Sequence, residues 1–367
     1  MTNLTRRVGQ RFVLGFDGLA ASSEIKVLIR DFGAGHVVLF GRNVDRPEQV
    51  ADLVRELQTA ARDAGHERPL LISVDQEGGR FSRLREPWTA WPPPRAVGRT
   101  GSEDVARRMG AALAVELRAC GIRLNFSPVV DVDTHPDNPA IGDRSFGAQA
   151  DLVGRLGAAM VAGLQDGGVA ACAKHFPGHG DTSVDSHLDL PVVEHPRSRL
   201  EEVELPPFRS CIEAGVALVM TAHVLVPDLD EKRPGTLSRA IVGGLLREDL
   251  DYGGVVVTDD LQMDAVARRW RPAERAVLAA RAGCDLLEVC SDPDDQVEAM
   301  EGLIRAVEAE EVRSTDMEAA EGRVRRLKER FLDGYRDPDP KAARLAAERG
   351  EHRALAEEIA ALSGRAV

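Results

Sequence analysis

The feature that most constrains the fold of this chain is an alternation, repeated eight times, of a short apolar run and a longer helical pattern. The apolar runs are continuous rather than alternating with polar residues, which is typical of parallel strands covered by helices. Several helical stretches end in DAG, RACG, QDGG, EAG or RAG just before the next run, and a terminal Gly is typical of a helix C-cap. The eight runs occupy residues 11–16, 36–40, 70–74, 122–129, 169–175, 217–223, 254–260 and 285–290.

Eight such units without a break in composition predict a protein of the α/β class with a single (β/α)8 TIM-type barrel. The alternative is a doubly wound open sheet with an extra segment. No GxGxxG or GxxxxGK[ST] motif follows an early run, which weakens that alternative. We expect the barrel to occupy residues 1–335 and a charged, Ala-rich C-terminal helical extension at residues 336–367 to pack on it.

Composition and charge narrow the class of protein. The net charge of −13 and the pI near 5.3 argue against nucleic acid or an anionic membrane as the main partner. The five cysteines are scattered without a CxxC motif and four lie in apolar segments, so we expect buried thiols in a reducing compartment. The apolar run near the basic N-terminus is too short for a signal sequence or a membrane span. We therefore expect a cytoplasmic protein, and a monomer.

Charged and polar residues follow five of the eight predicted strands, at the ends where (β/α)8 barrels carry their chemistry. One such residue can be an ordinary rim side chain, but five strand ends together predict a site at this mouth of the barrel. Asp259 and Asp260 are adjacent at one strand end, so at most one faces the mouth, and the other caps a helix or pairs with a neighbouring loop. A carboxylate there, with Arg and Lys nearby, suits glycoside chemistry.

The stretch KHFPGHGDTSVDSHLDLP, residues 174–191, contains three of the nine histidines. His175 and His179 have the i, i+4 spacing of metal ligands on a helix, but a Pro and a Gly between them prevent a helix. A second interpretation is that Asp185 hydrogen-bonds the ring of His187 and raises its proton affinity, so that His187 donates a proton to a leaving group. A polar turn that caps itself is the third, and all three stay open at this point.

The motifs VDQEGGR, IGDRSF, KHFPGHGDTSVDSH and TDDLQM resemble those of the bacterial β-N-acetylglucosaminidases of glycoside hydrolase family 3, of the peptidoglycan-recycling type. The resemblance covers most of the chain, from about residue 10 to residue 330. It implies a single-domain (β/α)8 enzyme. We expect no cofactor and no metal.

The resemblance also implies a retaining, two-step mechanism in which Asp259 is the nucleophile and forms a glycosyl-enzyme intermediate. It implies that His187, on the loop after the fifth strand, is the general acid/base and that Asp185 holds its ring. His179 matches the motif too, and we interpret it as loop scaffolding. The implied substrate contacts are Asp75, Arg83, Arg144, Lys174 and His175.

The implied partner is a small glycan that ends in N-acetyl-β-glucosamine, such as a peptidoglycan fragment, with no nucleic acid and no membrane. Glu288 lies inside the eighth apolar run, where a buried acid is costly unless it is paired or faces the mouth. It therefore lies near the sugar site or beside an Arg or Lys, and this leaves open a β-glucosidase or a phosphorylase on the same scaffold. A metal-dependent barrel hydrolase and an inactive sugar-binding protein are alternatives from other classes.

Overall fold

Eight apolar segments of the chain pair side by side as parallel strands and form the inner ring of the structure. The computed structural model describes residues 3–135, 137–186 and 188–364. Its barrel strands coincide with the eight predicted apolar runs, so this part of the sequence analysis is confirmed. In chain order the strands are β1 (Phe12–Leu14), β2 (His36–Leu39), β3 (Leu71–Val74), β4 (Leu124–Asn125), β5 (Ala170–Phe176), β6 (Leu218–Thr221), β7 (Val255–Thr258) and β8 (Leu287–Val289).

Each strand pairs in parallel with its neighbours in the sequence, and the ring closes between the first strand and the last. Val13 of β1 is the partner of His36 of β2 on one side and of Glu288 of β8 on the other. A bridge between Val257 of β7 and Leu286, just before β8, completes the ring. The predicted (β/α)8 barrel is therefore confirmed, and the open doubly wound sheet is wrong.

Helices cover the outside of this ring and bury their apolar faces against the strands. The α-helices are Asn3–Gly9, Ser23–Val27, Pro47–Asp63, Pro94–Thr100, Glu103–Ala119, Ala150–Asp166, Arg197–Arg199, Leu205–Glu213, Asp264–Ala267, Pro272–Ala282, Pro293–Glu308, Ser314–Leu332, Pro340–Ala347 and Gly350–Ser363. Wider π-type turns form Leu28–Phe32, Leu200–Glu204 and Ala240–Asp249, and 3-10 turns form Gly41–Asn43, Gly142–Arg144 and Gly235–Leu237.

The predicted glycine caps are present at the helix ends that precede strands. Gly65, Gly121, Gly168, Gly215 and Gly283 all have positive φ, between 73° and 117°. This left-handed conformation is strained for a residue with a Cβ, so glycine lets each helix stop and the chain turn towards the next strand.

The last two helices pack on the outer helices of the barrel. The Nδ1 atom of His352 lies 2.9 Å from Oε1 of Glu116, which is buried. Arg108 donates two hydrogen bonds to Glu358, at 3.0 and 2.7 Å. These contacts attach the end of the chain to the barrel, while the division between residues 335 and 336 stays a prediction.

All five cysteines are free and buried, as expected from the apolar segments around them. Burial raises the pKa of Cys120, Cys211 and Cys284 to about 12, so these thiols are protonated at neutral pH. Within the described ranges, no helix is both long enough and apolar enough to cross a lipid bilayer.

A short antiparallel hairpin, Gln76–Gly78 with Phe81–Ser82, directly follows β3. The side chain of Gln76 accepts the backbone N–H of Arg83 at 2.8 Å, which fixes the turn of the hairpin. Asn125 of β4 accepts the backbone N–H of Gln76 and donates to its carbonyl, both at 2.9 Å. The hairpin is thereby attached to the carboxyl ends of β3 and β4.

Candidate active site

The carboxyl ends of the strands surround a cavity that brings together side chains far apart in the sequence. Asp75 follows β3, Lys174 and His175 belong to β5, and Asp259 follows β7. Six of the eight predicted site residues line this cavity, namely Asp75, Arg83, Arg144, Lys174, His175 and Asp259. Its apolar lining comes from Phe40, Phe81, Ala140, Met220 and Met263.

Glu77, on the hairpin, holds two of the predicted sugar-binding cations. Arg144 donates from Nε and Nη2 to the two oxygens of the Glu77 carboxylate, at 2.9 and 2.8 Å. Lys174 Nζ lies 2.7 Å from Oε1 of the same carboxylate. All three side chains are at most 8% exposed, and charges buried this deeply are stable only when they are paired. Glu77 therefore fixes where Arg144 and Lys174 present their other N–H groups.

This pairing also fixes the protonation states of the three groups. Burial acts to raise the pKa of Glu77, but the charges of Arg144 and Lys174 outweigh burial and hold that pKa well below its usual range. Burial acts to lower the pKa of Lys174, but the carboxylates of Asp75 and Glu77 raise it above its usual value. Lys174 is thus a permanent cation rather than a proton carrier.

Asp75 is the more open of the two carboxylates that bind Lys174. Lys174 donates to its Oδ1 at 2.7 Å, and Arg83 Nη2 lies 4.0 Å from its Oδ2. Its side chain is 15% exposed and lines the cavity. A carboxylate accepts at both oxygens, so Asp75 keeps acceptor positions for the hydroxyl groups of a ligand.

Asp131, in the segment after β4, holds the backbone where β5 ends. Its carboxylate accepts the backbone N–H of His175 at 3.2 Å and that of His179 at 2.6 Å, and lies 2.7 Å from Nδ1 of His175. An ionised carboxylate only accepts, so Nδ1 of His175 carries the proton and Nε2 accepts from Arg144 at 3.4 Å. Burial acts to raise the pKa of Asp131, but His175 and His179 hold it below its usual value.

His179 is a structural residue of the loop after β5, as the sequence interpretation expected. Its Nδ1 lies 2.7 Å from the hydroxyl of Thr182, which itself donates to the His179 carbonyl. Its Nε2 lies 3.0 Å from the hydroxyl of Ser186. Burial, together with the nearby His175, lowers the pKa of His179 to about 4. At neutral pH the ring is uncharged and holds two residues of its own loop.

The described part of this loop returns to the cavity. Ser186 lines the cavity, and its carbonyl accepts the backbone N–H of Ala265 at 3.2 Å. Asp185 precedes Ser186, and its carbonyl accepts the backbone N–H of Leu188 at 2.9 Å. His187, the predicted acid/base, lies outside the described residues.

Asp259 and Asp260 both line the cavity, although only one of them was expected to face the mouth, and their carboxylates have different partners. Asp259 follows β7 and its Oδ1 accepts the backbone N–H of Asp260 at 2.9 Å. The Asp260 carboxylate instead accepts backbone N–H groups of Gln262 and Cys290, at 3.0 and 3.3 Å, and so ties the β7 loop to the β8 loop. Burial and the nearby charge of Asp259 raise the pKa of Asp260 to about 6. Because backbone N–H groups already engage the Asp260 carboxylate, Asp259 is the better candidate for the reactive carboxylate.

Within the part of the chain that the structure describes, no group of three or more His, Cys, Asp or Glu side chains has the arrangement of a metal site. His175 and His179, which have metal-ligand spacing in the sequence, direct their Nδ1 atoms at Asp131 and Thr182 instead. Their ring centres lie 6.0 Å apart.

Two residues that organise the site were missed by the sequence analysis. Glu77 lies in VDQEGGR, where attention went to Asp75 and to the arginines, and Asp131 lies just after the fourth apolar run, in NFSPVVDVD. Both are only 1% exposed. Each of the two is an acidic residue next to a predicted strand end. The sequence also predicts basic side chains at the same mouth of the barrel, and these need acidic partners.

The chain is similar to a family of known proteins. The family model described as the glycosyl hydrolase family 3 N-terminal domain matches residues 4–327. A β-hexosaminidase of Thiobacillus denitrificans is 42% identical over 266 residues, which cover 71% of this chain and 72% of that protein.

Two solved structures superpose over nearly the whole chain. A glycoside hydrolase family 3 β-N-acetylglucosaminidase from Paenibacillus sp. has a TM-score of 0.94 at 42% identity, covering 99% of this chain and 69% of that one. NagZ from Neisseria gonorrhoeae, in complex with N-trifluoroacetyl-D-glucosamine, has a TM-score of 0.79 at 32% identity, covering 96% and 98%.

Proposed function

Because this chain belongs to glycosyl hydrolase family 3 and is a glycoside hydrolase of the β-hexosaminidase type, we propose that it removes terminal N-acetyl-β-glucosamine from small glycans. Peptidoglycan fragments are the substrates we propose, and the anomeric configuration is retained in the product. The similar NagZ of Neisseria gonorrhoeae is seen with a glucosamine derivative, which supports an N-acylated glucosamine as the sugar.

The observation that carries the proposal is the meeting of two loops at one cavity. Ser186 from the loop after β5 and Asp259 from the end of β7 line the same space. Asp185 and His187 flank Ser186 in the chain, and we propose that His187 and Asp259, from different parts of the barrel, act on the same glycosidic bond. A retaining hydrolase needs this pair of functions, a proton donor and a nucleophile.

In the proposed first step, the Asp259 carboxylate attacks the anomeric carbon and the bond from that carbon to the leaving oxygen breaks. Protonated His187 gives its proton to the leaving oxygen, and Asp185 stabilises the charged ring before transfer. In the second step, neutral His187 takes a proton from water as the water oxygen attacks the anomeric carbon. The ester bond to Asp259 breaks, and the sugar leaves with its original configuration.

The other predicted residues bind the sugar in this proposal. Asp75 accepts hydrogen bonds from sugar hydroxyls, because one of its faces remains open to the cavity. Lys174 and Arg144 donate to sugar oxygens from positions that Glu77 fixes, and Arg83 and His175 complete the lining. Sequence comparison with the family suggested these roles, and the polar cavity supports them.

A panel of 4-nitrophenyl β-glycosides tests the proposed activity, with N-acetylglucosamine, N-acetylgalactosamine, glucose and xylose as the sugars. We expect the highest kcat/KM for the N-acetylglucosaminide, with free sugar as the product. Formation of sugar 1-phosphate in phosphate buffer would identify a phosphorylase instead. Loss of turnover in EDTA would support the metal-dependent alternative.

The nucleophile is tested by trapping. A fluorinated sugar that slows hydrolysis of the covalent intermediate should label Asp259, which peptide mass mapping identifies, and a label on Asp260 would contradict the assignment. Asp259→Asn should lower kcat by about 10³-fold or more. The variant Glu116→Gln, at a buried acid among the outer helices, is the control and should keep its kcat.

A further inference from the structure

Glu288 is a buried acid of β8 for which the proposed mechanism gives no role. From the sequence, it had to lie near the sugar site or beside an Arg or Lys. The structure places it in the lining of the cavity, and its side chain forms no ion pair with any described residue. The residue is only 4% exposed. One oxygen accepts from the Cys290 thiol at 3.1 Å, and the other, Oε2, has no hydrogen-bond partner among the described residues.

The groups around Glu288 are mostly acidic. The titratable groups that face it from the packed strands are Asp75 after β3, Cys172 and Lys174 on β5, Asp259 and Asp260 after β7, and Cys290 after β8. The charge of Lys174, the cation in this set, is already engaged by Asp75 and Glu77. Glu288 therefore meets acids and thiols rather than a free cation.

Burial and the charges of Asp75, Asp260 and Asp259 raise the pKa of Glu288 well above its usual value. A raised pKa favours the neutral form of a glutamic acid, and that form carries one O–H donor. The nearby Asp75 and Asp259 are carboxylates that accept hydrogen bonds. A neutral Glu288 would thus supply a donor to a part of the cavity that is otherwise rich in acceptors.

We propose that Glu288 is a substrate-binding residue that donates its carboxylic O–H to an oxygen of the bound sugar. The geometry behind this is a buried, unpartnered carboxyl oxygen in the wall of the cavity, on the strand next to that of Asp259. The inference rests on the proposed glycosidase function, since it names a further contact at the same site. It explains why an acid is tolerated in an apolar strand, because the sugar completes its hydrogen bonding.

Two substitutions separate hydrogen bonding from shape. Glu288→Gln keeps a neutral side chain of the same length with an N–H donor, whereas Glu288→Leu keeps bulk without any donor. We expect kcat/KM to fall by about 10- to 100-fold in the Leu variant and to be largely restored in the Gln variant. Glu116→Gln, at the buried glutamate outside the cavity, is the control and should match the wild type in kcat/KM.

The pH profile distinguishes a neutral carboxyl from a carboxylate. With a 2,4-dinitrophenyl glycoside, whose leaving group needs no proton, kcat/KM of the wild type should fall on the alkaline side as Glu288 ionises. The Gln variant should lack this fall. Equal kcat/KM in the Leu variant and the wild type, or equal losses in Gln and Leu with an unchanged profile, would overturn the proposal.

A measurement without substrate keeps the inference apart from the proposed function. Above the usual pKa of glutamate, the unfolded wild type ionises at Glu288 while the folded protein does not, so the wild type loses stability as pH rises. The melting temperature of Glu288→Gln should therefore exceed that of the wild type by an amount that grows from about pH 5 to about pH 8. A constant difference would show that Glu288 is charged in the fold and would refute the proposal, whatever the enzyme hydrolyses.

Discussion

Replacing Glu77 with Gln removes a single negative charge on which two buried cations depend. In the wild type the carboxylate receives two hydrogen bonds from Arg144 and lies 2.7 Å from Lys174 Nζ. The Gln amide keeps one acceptor oxygen but places an N–H₂ group against the guanidinium or the ammonium. Both groups there are hydrogen-bond donors, so no hydrogen bond can form between them. Lys174 retains Asp75 as a partner, so the loss falls mainly on Arg144.

The magnitude follows from the burial of the pair. Glu77 is 1% exposed and Arg144 is 8% exposed, so solvent screens neither charge. Removing one partner of such a pair costs about 3–5 kcal/mol. Total stabilities of folded proteins are about 5–15 kcal/mol, so the variant should remain folded with a large part of its stability lost. Because Arg144 also loses its fixed position, kcat/KM should fall by about 10²-fold.

Urea unfolding and steady-state kinetics together test this expectation. The urea midpoint of Glu77→Gln should drop with little change in the m value. Glu116→Gln is a matched control, because Glu116 is equally buried and binds Thr89, Trp91 and His352. The control should lose stability but keep its kcat/KM.

The pH dependence has a definite sign. Because the pKa of Glu77 is depressed in the fold, its stabilisation is present above the usual glutamate pKa and is lost as pH falls below it. The stability difference between wild type and Glu77→Gln should therefore be larger at about pH 7 than at about pH 4. A variant that keeps its stability to within about 1 kcal/mol and its kcat/KM to within a small factor would contradict this expectation, since breaking a buried ion pair is strongly destabilising.

Two further predictions concern proton transfer and Lys328, a buried lysine whose Nζ donates to Gln10 Oε1 and to the carbonyl of Gly35, just before β2. His187→Ala should lower kcat/KM far more for substrates with poor leaving groups than for activated aryl glycosides. Asp185→Ala should show a weaker form of the same pattern. Equal losses of kcat/KM on both kinds of substrate would argue against an acid role for His187. Burial, with a smaller effect of Arg68, lowers the pKa of Lys328 to about 7, so above that pH the folded protein holds a neutral amine while the unfolded chain stays protonated. Above neutrality, the free energy of unfolding of the wild type should therefore rise relative to that of Lys328→Met by up to about 1.4 kcal/mol per pH unit, as measured by thermal unfolding. A stability difference that does not change with pH would contradict this prediction.

The barrel could be predicted from the sequence because its determinants are local. A continuous apolar run such as residues 254–260 specifies a buried strand, and a Gly such as Gly121 specifies where a helix stops. Strand ends meet at one mouth in any such barrel, so residues as distant as Asp75 and Asp259 could be placed together before their contacts were known.

The partners of those residues could not be predicted in the same way, because pairing between loops leaves no local pattern. Arg144 and Lys174 were expected to face the sugar, but both also pair with the carboxylate of Glu77. Asp131 contacts His175 and His179 from 44 and 48 positions away. Glu288 is unusual as an acid within an apolar strand, and this could be seen in the sequence. Whether it lies near the sugar site or beside an Arg or Lys depends on the neighbouring strands, which the sequence does not specify.

The attachment of the loop after β5 to Asp131 has a consequence for the two-step mechanism that we propose. The hydrogen bonds of Asp131 hold the backbone at His175 and His179, while Ser186 is held by His179 and Ala265. A movement of residues 183–186 would break the contacts of Ser186 but would leave those of Asp131 intact. In the two-step mechanism that we propose, such a movement would let water replace the leaving group while the residues held by Asp131 keep their positions around the sugar.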